Sequence, residues 1–396
     1  MRKLIPPHPF PARMSPELAL SVLSDAPKGA LVLDPMCGSG TVVRAAGEHG
    51  LRASGFDIDP LAVLMARVWT SPIDVRLLRR SAELVVKRAR TYSQRDIRLP
   101  WVDGDPTTRT YVDFWFDRPQ RRQLRTLVAS IRRSPLSVRD ALKLGLSRTI
   151  ITKERGASLA RDVSHSRPHK VKTSNDFDVL SGFLTSINRI ATQLELEPPP
   201  SMVRVSAGDA RSLSKVRSNS VDLILTSPPY LNAIDYMRGH RMSLVWLGHT
   251  IGDLRDLRSA SIGSERGPDP GHNPALVDDL MSLLPRKIDE FSPRTKRIFQ
   301  RYVIDLHAVV DELVRVAKRG ARVIFVMGNS TIEGLFVSNA DALIAVATRA
   351  GLRFVEGYER DLPPNSRYLP PPKHGGTNPL ELRMRSESVL TFANPA

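Results

Sequence analysis

The segment DLILTSPPY, Asp222–Tyr230, joins an apolar run to a stiff polar end whose residue types suit an amino group. A strand cannot continue through Pro228 and Pro229, because each proline lacks the N–H that a ladder needs and fixes its own φ. The Ser227 hydroxyl and a main-chain carbonyl around Pro228 are hydrogen-bond acceptors, and the prolines would keep them in place. The Tyr230 ring offers a face for stacking, worth about 1–3 kcal/mol per base. This rigid polar end therefore reads as a candidate ligand-binding segment.

A glycine-rich turn, LDPMCGSGT, is the second segment with residue types that suit a ligand. Gly38 and Gly40 allow backbone and ligand to approach closely, and the N-terminus of the following helix favours an anionic group such as a carboxylate. The turn lacks the Gly-Lys-Ser/Thr ending of a Walker loop and the third glycine of a dinucleotide fingerprint. Asp57, at the predicted end of the next strand, is placed to accept hydrogen bonds from ribose hydroxyls. Together these features indicate a ligand site at the carboxyl ends of the strands.

Three segments resemble motifs of the amino-methyltransferases that use S-adenosylmethionine. LDPMCGSGT is similar to their cofactor-binding motif, TSPPY to their catalytic tetrapeptide of the form (Asp/Asn/Ser)-Pro-Pro-Tyr, and HPFPARMSPEL to the segment that precedes the cofactor motif and folds against the cofactor. The resemblance covers residues 8–70 and roughly 201–396. It implies catalytic roles for Ser227, Pro228, Pro229 and Tyr230, and cofactor-binding roles for Phe10, Asp34, Pro35, Gly38, Gly40, Thr41, Asp57, Ile58 and, at the adenine amino group, Asp209.

The resemblance also implies a target. Serine before the two prolines is typical of enzymes that methylate N4 of cytosine in DNA, and aspartate of those that act on N6 of adenine. Many N4-cytosine enzymes carry the proline motif before the cofactor motif, whereas here the cofactor motif comes first, so adenine N6 stays open. An RNA amine methyltransferase and a catalytically silent DNA-binding protein are also consistent with these features. A base inside a duplex would have to flip out to reach the pocket, at a cost of a few kcal/mol.

The elements that must position these residues read as alternating strands and helices. A strand, the glycine turn and a helix ending at Gly50 are followed by a strand ending at Asp57 and a helix that Asp59 caps, which implies parallel pairing. The pattern resumes after about residue 200, where RYVIDLHAVVDELVRVAKRG reads as a helix capped by Gly320. We expect an α/β, doubly wound, Rossmann-like class I methyltransferase sheet. Residues 1–70 and 201–396 would form it, and residues 71–200 would be an inserted, mostly helical, basic target-recognition module.

The charge of the chain points to a polyanionic partner. Lys and Arg total 58 against 41 Asp and Glu, which gives a net charge of +17 and an isoelectric point near 10.4. Residues 71–200 hold 25 Lys/Arg and 14 Asp/Glu, so this third of the chain supplies most of the surplus. The imbalance predicts a nucleic acid as partner and suits RNA as well as DNA, with an anionic membrane surface the weaker alternative. The resemblance to DNA amino-methyltransferases implies DNA as the partner, with RNA the weaker choice.

Within this segment, SLARDVSHSRPHKVK has a composition that suits phosphate contact and base-edge readout. Arg161, Arg167 and Lys170 are its candidate DNA-binding residues, and a solvated loop is the competing interpretation. The aromatic run YVDFWF, Tyr111–Phe116, is expected to be core rather than a stacking surface. His165 and His169 lack a carboxylate or cysteine at ligand spacing, so we predict no metal site.

Other features limit the compartment. The single cysteine, Cys37, excludes an internal disulfide and a cysteine-based zinc site, and it favours the reducing cytoplasm. We expect no signal peptide and no membrane span, because no apolar run has the required length. A cognate restriction endonuclease is a possible partner. The stretch SASIGSERGPDPGHNP reads as a mobile lid or a surface loop, and Asn329 as a cap or a substrate contact.

Overall fold

The fold is that of a computed structural model, which describes most of the chain. The described ranges are 4–10, 13–92, 97–153, 155–161, 168–231, 235–264, 274–282, 290–333, 335–362 and 386–395. Arg167 and His165 lie outside these ranges, as do residues 265–273 of the stretch predicted to be a lid or a surface loop.

In the described part of the chain, seven strands form one sheet. In sequence order they are β1 (Leu31–Asp34), β2 (Arg52–Asp57), β5 (Val203–Ala207), β6 (Val221–Thr226), β7 (Ala317–Gly328), β10 (Arg353–Asp361) and β11 (Ser386–Ala393). Their spatial order is β10-β11-β7-β6-β1-β2-β5. The pairs among β5, β2, β1, β6 and β7 are parallel, and β11 pairs antiparallel with both β7 and β10. This order confirms the predicted doubly wound α/β fold.

Three helices accompany the first strands: α1 (Pro16–Leu23), α2 (Thr41–Glu48) and α3 (Pro60–Thr70). The side chain of Asp59 caps α3 by accepting from Leu61 N, and Pro60 occupies the first turn, as the sequence predicts. Helix α2 ends at Glu48 with His49 as its C-cap, two residues before the predicted end at Gly50. Because β1 and β2 are parallel, the turns that follow both strands meet at the same edge of the sheet.

Residues 71–200 are mostly helical, as expected. Their helices are α4 (Val75–Thr91), α5 (Pro100–Asp103), α6 (Pro106–Trp115), α7 (Arg118–Ile131), α8 (Leu136–Arg148) and α9 (Val179–Leu196). A short antiparallel pair, β3 (Ala160–Arg161) and β4 (His169–Lys170), lies between α8 and α9. The boundaries at residues 70 and 200 stay a prediction.

The second half of the chain supplies α10 (Tyr236–Leu247), α11 (Ile251–Ala260), α12 (Pro274–Ser282), α13 (Pro293–Val316) and α14 (Asn339–Arg349), with a small pair β8 (Ser330–Ile332) and β9 (Leu335–Val337). The predicted helix cap at Gly320 is wrong. Helix α13 ends at Val316, and Gly320 lies inside β7, where its N–H donates to Asn394 O at 2.7 Å. Pairing with a distant strand, which no local pattern reveals, outweighs the helical pattern of this segment.

Among the residues that the structure describes, the buried side chains form three clusters, two of them on the sheet. The third cluster joins the insert to its surroundings: Leu61, Met65 and Val68 of α3 and Met242 and Trp246 of α10 are buried among side chains of α4 to α9. The insert therefore shares an apolar core with the helix that follows β2 and with the helix that follows the proline segment. In the part of the chain that the structure describes, no helix is long and apolar enough to cross a bilayer.

Candidate active site

The glycine turn lies between β1 and α2 and adopts backbone conformations that side chains avoid. Gly38 has φ +50° and Gly40 has φ +92°, both in the left-handed region. A Cβ on Gly40 would lie 2.8 Å from Ala66 Cβ in α3, which leaves no space for a side chain. The turn is further held by Cys37, whose N–H donates to Phe56 O at 2.8 Å.

Phe10 from the N-terminal segment covers this turn. A Cβ on Gly38 would lie 3.1 Å from the Phe10 ring, so glycine allows the ring to approach the backbone. The Phe10 ring stacks on Tyr236 of α10 with centroids 5.3 Å apart and planes 12° apart. The segment before Phe10 is fixed by His8, whose Nδ1–H donates to Pro9 O and whose Nε2 lies 2.9 Å from Ser147 Oγ in α8.

Two hydroxyls at the start of α2 have hydrogen-bonding capacity to spare. Ser39 and Thr41 are 2% and 3% exposed, and their oxygens have no hydrogen-bond partner among the described residues. Buried hydroxyls are normally paired, so this pair at a helix N-terminus fits the carboxylate of an amino-acid cofactor such as S-adenosylmethionine. Thr41 was predicted as a cofactor residue and Ser39 was not. The position of Ser39 between Gly38 and Gly40 was the available signal.

Asp57 ends β2 beside the glycine turn, as predicted. Its Oδ2 accepts from Gly38 N at 2.8 Å and its Oδ1 from Asp59 N at 2.9 Å. Burial and then the neighbouring Asp59 carboxylate raise the pKa of Asp57 to about 6. Each carboxylate oxygen retains a free lone pair, so Asp57 can still accept from ribose hydroxyls. Ile58, the next residue, is half-buried.

Asp209 follows β5 at the same edge and is tied to an arginine. Arg211 donates from Nε and Nη2 to the Asp209 carboxylate, at distances from 2.6 to 3.2 Å, and from Nη1 to Asp305 Oδ1 at 2.7 Å. Burial alone would raise the pKa of Asp209, but the hydrogen bonds from Arg211 outweigh it and hold the pKa below its usual value. Gly208, just before Asp209, donates from its N–H to Asp57 O at 3.0 Å. The ends of β2 and β5 are thus joined.

The proline segment leaves β6 next to β1, and a side-chain contact links it to the glycine turn. Thr226, the last residue of β6, donates from Oγ1 to Asp34 Oδ1 at 2.8 Å. Asp34 is 3% exposed, and burial raises its pKa to about 7 despite this hydrogen bond. Pro35 continues the chain from Asp34 into the turn and is buried. Asp34 therefore joins the two predicted motifs directly.

The residues of the proline segment fold back on one another. Ser227 Oγ lies 3.5 Å from the hydroxyl oxygen of Tyr230, and burial raises the pKa of Tyr230 to about 12, so the phenol stays neutral. Pro228 is buried, and Pro229 is half-buried. Asn329 follows β7 at this edge, and its Oδ1 is buried without a partner among the residues described. Asn339 of α14, rather than Asn329, caps the end of β7 by donating to Gly328 O at 2.8 Å.

A buried histidine and carboxylate, which the sequence did not single out as a pair, lie beside this site. His240 of α10 donates from Nδ1 to Asp59 Oδ2 at 2.5 Å, and the two residues are 3% and 7% exposed. They are 181 positions apart, so no local pattern announces the contact.

The predicted DNA-binding residues lie on the β3–β4 pair of the insert. Arg161 and Lys170 are both exposed, and Lys170 Nζ lies 4.7 Å from the centroid of the Phe114 ring. The aromatic run is split: Phe116 is buried against Trp246, whereas Phe114 is 50% exposed. Among the described residues, no group of three or more His, Cys, Asp or Glu side chains is arranged to hold a metal ion.

Comparison with known proteins gives distant relatives. No protein-family model matches the chain. It is 23% identical to the Type II methyltransferase M.MvaI of Kocuria varians, over 98% of this chain and 90% of that protein. It is 22% identical to the Type II methyltransferase M.AvaI of Nostoc sp., over 81% of this chain and 72% of that protein.

Solved structures resemble the chain only loosely. TrmN from Thermus thermophilus is 12% identical with a TM-score of 0.32, over 96% of this chain and 49% of that one. A putative DNA modification methylase, also from Thermus thermophilus, is 16% identical with a TM-score of 0.24, over 48% of this chain and 52% of that one. The fold assignment therefore depends on the strand order of this sheet.

Proposed function

We propose that this protein is a DNA methyltransferase that transfers a methyl group from S-adenosylmethionine to an exocyclic base amine, with N4 of cytosine as the target. The observation that carries the proposal is the junction of two motifs at one sheet edge. The glycine turn after β1 and the proline segment after β6 lie on adjacent strands and are joined by the Thr226–Asp34 hydrogen bond. In a doubly wound sheet this edge is where ligands bind.

Residues of this chain divide the work at that edge. Ser39 and Thr41 would receive the carboxylate of the cofactor, Asp57 its ribose hydroxyls, and Asp209 its adenine amino group. When bound, S-adenosylmethionine supplies an electrophilic methyl group. Phe10 and the glycine turn would border this part of the site.

The proline segment would prepare the amine. The lone pair of an exocyclic amine is delocalised into the base, which makes the nitrogen a poor nucleophile. Acceptors on its two hydrogens, the Ser227 hydroxyl and a carbonyl near Pro228, favour a pyramidal nitrogen whose lone pair is free to react. The rigid prolines keep these acceptors in place, so little reorganisation opposes the reaction. In the transfer the amine nitrogen would form a bond to the methyl carbon as that carbon's bond to sulfur breaks, S-adenosylhomocysteine would be the leaving group, and the nitrogen would lose one proton to solvent.

DNA as substrate is supported by charge and by the relatives. The net charge of +17 suits a polyanion, and Arg161 and Lys170 are exposed on the insert. The relatives with most of their length aligned are named Type II methyltransferases. We propose that residues 71–200 contact the site and that Arg167, outside the described ranges, acts with Arg161 and Lys170. A cytoplasmic location and a cognate restriction endonuclease remain predictions from the sequence alone.

The first experiment is mass spectrometry of nucleosides from the genomic DNA of a methylation-free host that expresses this chain. We expect N4-methylcytosine in DNA from the host that expresses the wild-type protein. The amount of N4-methylcytosine should fall strongly with Ser227→Ala, because this variant removes one acceptor for the amine. Ser218→Ala, at an exposed residue before β6, is the matched control and is expected to leave the modification unchanged.

Other products would redirect the proposal. N6-methyladenine in place of N4-methylcytosine would keep the mechanism and replace the target base. Unmodified DNA beside methylated RNA would refute DNA as the substrate. If the protein binds S-adenosylmethionine but neither DNA nor RNA contains a modified nucleoside, the result would favour a catalytically silent DNA-binding protein.

A further inference from the structure

The buried His240–Asp59 pair lies outside the predicted motifs but between the two parts of the site. His240 is on α10, which starts shortly after the proline segment. Asp59 lies two residues after Asp57, the side chain proposed to bind the ribose hydroxyls of the cofactor. A buried charge is costly unless it is paired, so this contact constrains both elements.

Asp59 holds Asp57 in place. Its Oδ1 accepts from Leu61 N at 2.8 Å, which fixes the start of α3, and its own N–H donates to Asp57 Oδ1 at 2.9 Å. Burial would raise the pKa of Asp59, but the imidazole of His240 outweighs it and holds the pKa below its usual value. The Asp59 carboxylate therefore stays ionised and keeps its contacts with Leu61 and His240.

His240 holds the other side of the junction. Its ring centroid lies 5.7 Å from that of Phe10, which also stacks on Tyr236 one helical turn earlier. Helix α10 packs against α3, and its Trp246 is buried in the core that the insert shares. His240 thus contacts both Phe10, which covers the glycine turn, and Asp59, which donates to Asp57.

We propose that His240 is a positioning residue that orients Asp57 toward the ribose hydroxyls of the cofactor through the Asp59 carboxylate. The inference rests on the proposed function, because it takes S-adenosylmethionine as the cofactor. It goes beyond that function by assigning part of the cofactor affinity to a residue of α10. His240 itself does not touch the cofactor in this proposal.

The test compares two ligands by titration calorimetry: S-adenosylhomocysteine and its analogue without the 2′- and 3′-hydroxyls. His240→Phe keeps a ring against Phe10 but removes the donor to Asp59. We expect it to weaken S-adenosylhomocysteine binding about 10-fold or more, the range for an unpaired buried polar group, and to weaken the analogue less than about 3-fold. Equal losses on both ligands would overturn the proposal, because a general packing defect does not depend on the ribose hydroxyls.

Two further variants separate the hydrogen bond from packing. His240→Asn places an amide N–H near the position of Nδ1, and we expect it to restore the affinity of S-adenosylhomocysteine to within about 3-fold of wild type. Asp59→Asn keeps the side-chain volume and the main-chain N–H to Asp57, and should show the same ribose-selective loss even if His240→Phe fails to fold. A His240→Asn protein that binds as weakly as His240→Phe would refute the role of the hydrogen bond.

The control is His49→Phe at the C-cap of α2, where the ring contacts only Leu20 O among its described hydrogen-bond partners. It should bind both ligands as wild type does. Failure of the inference is distinct from failure of the function. A wild-type protein that binds S-adenosylhomocysteine but methylates no nucleic acid would sink the function alone, and ribose-independent losses in a protein that methylates DNA would sink only the role of His240.

Discussion

The carboxylates at the cofactor edge have different acidities because their surroundings differ. Burial raises the pKa of Asp57 to about 6 and that of Asp34 to about 7, whereas partners with positive charge or donor groups keep the pKa values of Asp59 and Asp209 low. Asp34 and Asp57, both predicted cofactor residues, thus change protonation near neutral pH, and Asp57 is the one expected to accept from the ribose hydroxyls. Its ionised form is the one that can accept hydrogen bonds at both oxygens.

This difference predicts a pH dependence of cofactor binding. As the pH falls through about 6, Asp57 takes up a proton, one acceptor is lost, and affinity for S-adenosylhomocysteine should decline by up to tenfold per pH unit. Because Asp34 is a predicted cofactor residue, we expect its protonation as the pH falls through about 7 to lower the affinity in a separate step at higher pH. Calorimetry from pH 5 to pH 8 measures both.

The Asp57→Asn variant assigns the lower step. It should remove that step and weaken cofactor binding at pH 8. Both oxygens of Asp57 accept from main-chain N–H groups, of Gly38 and Asp59, so the NH₂ group of asparagine would face one of these donors without an acceptor. Asp74→Asn, at the N-cap of α4, is the control and should retain the wild-type profile. A profile with the same lower step after Asp57→Asn would mean that another group titrates.

Among the elements, the turn between β1 and α2 depends on glycine for space as well as for conformation. Gly50, in the turn that follows α2, also has a positive φ of +69°, but a Cβ there would meet nothing within 4 Å. Gly40 combines a positive φ with a contact of 2.8 Å to Ala66 Cβ. The two glycines therefore separate backbone strain from steric overlap.

We expect Gly40→Ala to lower the free energy of unfolding by more than the roughly 1–2 kcal/mol that positive φ costs an alanine, because α2 and α3 must also move apart. Gly50→Ala should show only the first cost and keep cofactor affinity. Chemical denaturation and calorimetry measure both variants. Equal destabilisation with unchanged cofactor binding would contradict the close packing of the turn.

Local sequence predicts elements that depend on local interactions. The strand ending at Asp57, the cap at Asp59 and the helix beginning at Pro60 follow from short-range rules and are present. Gly320 was misassigned because Ala317–Arg319 become strand through pairing with β6 and contacts near Asn394. The His240–Asp59 contact was not predicted from the sequence for the same reason, because the two residues meet only when α10 packs on α3.

At the scale of the whole molecule, the net positive charge predicts that the proposed DNA binding depends on ionic strength. Each phosphate contact releases counterions, so the logarithm of affinity should fall linearly with the logarithm of salt concentration. Arg161 and Lys170 are both exposed on the β3–β4 pair of the insert, on opposite faces because Arg161 pairs with His169 and Lys170 with Ala160, so each is a separate candidate for a phosphate contact.

Replacing both residues by glutamine should reduce the magnitude of the slope of log affinity against log salt concentration by roughly 1 to 2. The affinity for the cofactor should not change. The control is Lys28→Gln, at an exposed lysine before β1 and therefore at the amino ends of the parallel strands, away from the glycine turn. It should keep the wild-type slope. Fluorescence anisotropy with a labelled duplex measures each slope. A double variant with the wild-type slope would exclude the β3–β4 pair from the DNA interface.

The apolar core that the insert shares with α3 and α10 limits how the proposed target-recognition module can be exchanged for another. Exchanging the whole insert with that of a relative would replace one side of a packed core and leave the side chains of α10 without matching neighbours. Substitutions at exposed positions, such as those of the β3–β4 pair, leave that packing intact. Divergence of specificity should therefore proceed by single surface replacements, and engineered chimeras should fold only when α3 and α10 are exchanged together with the insert.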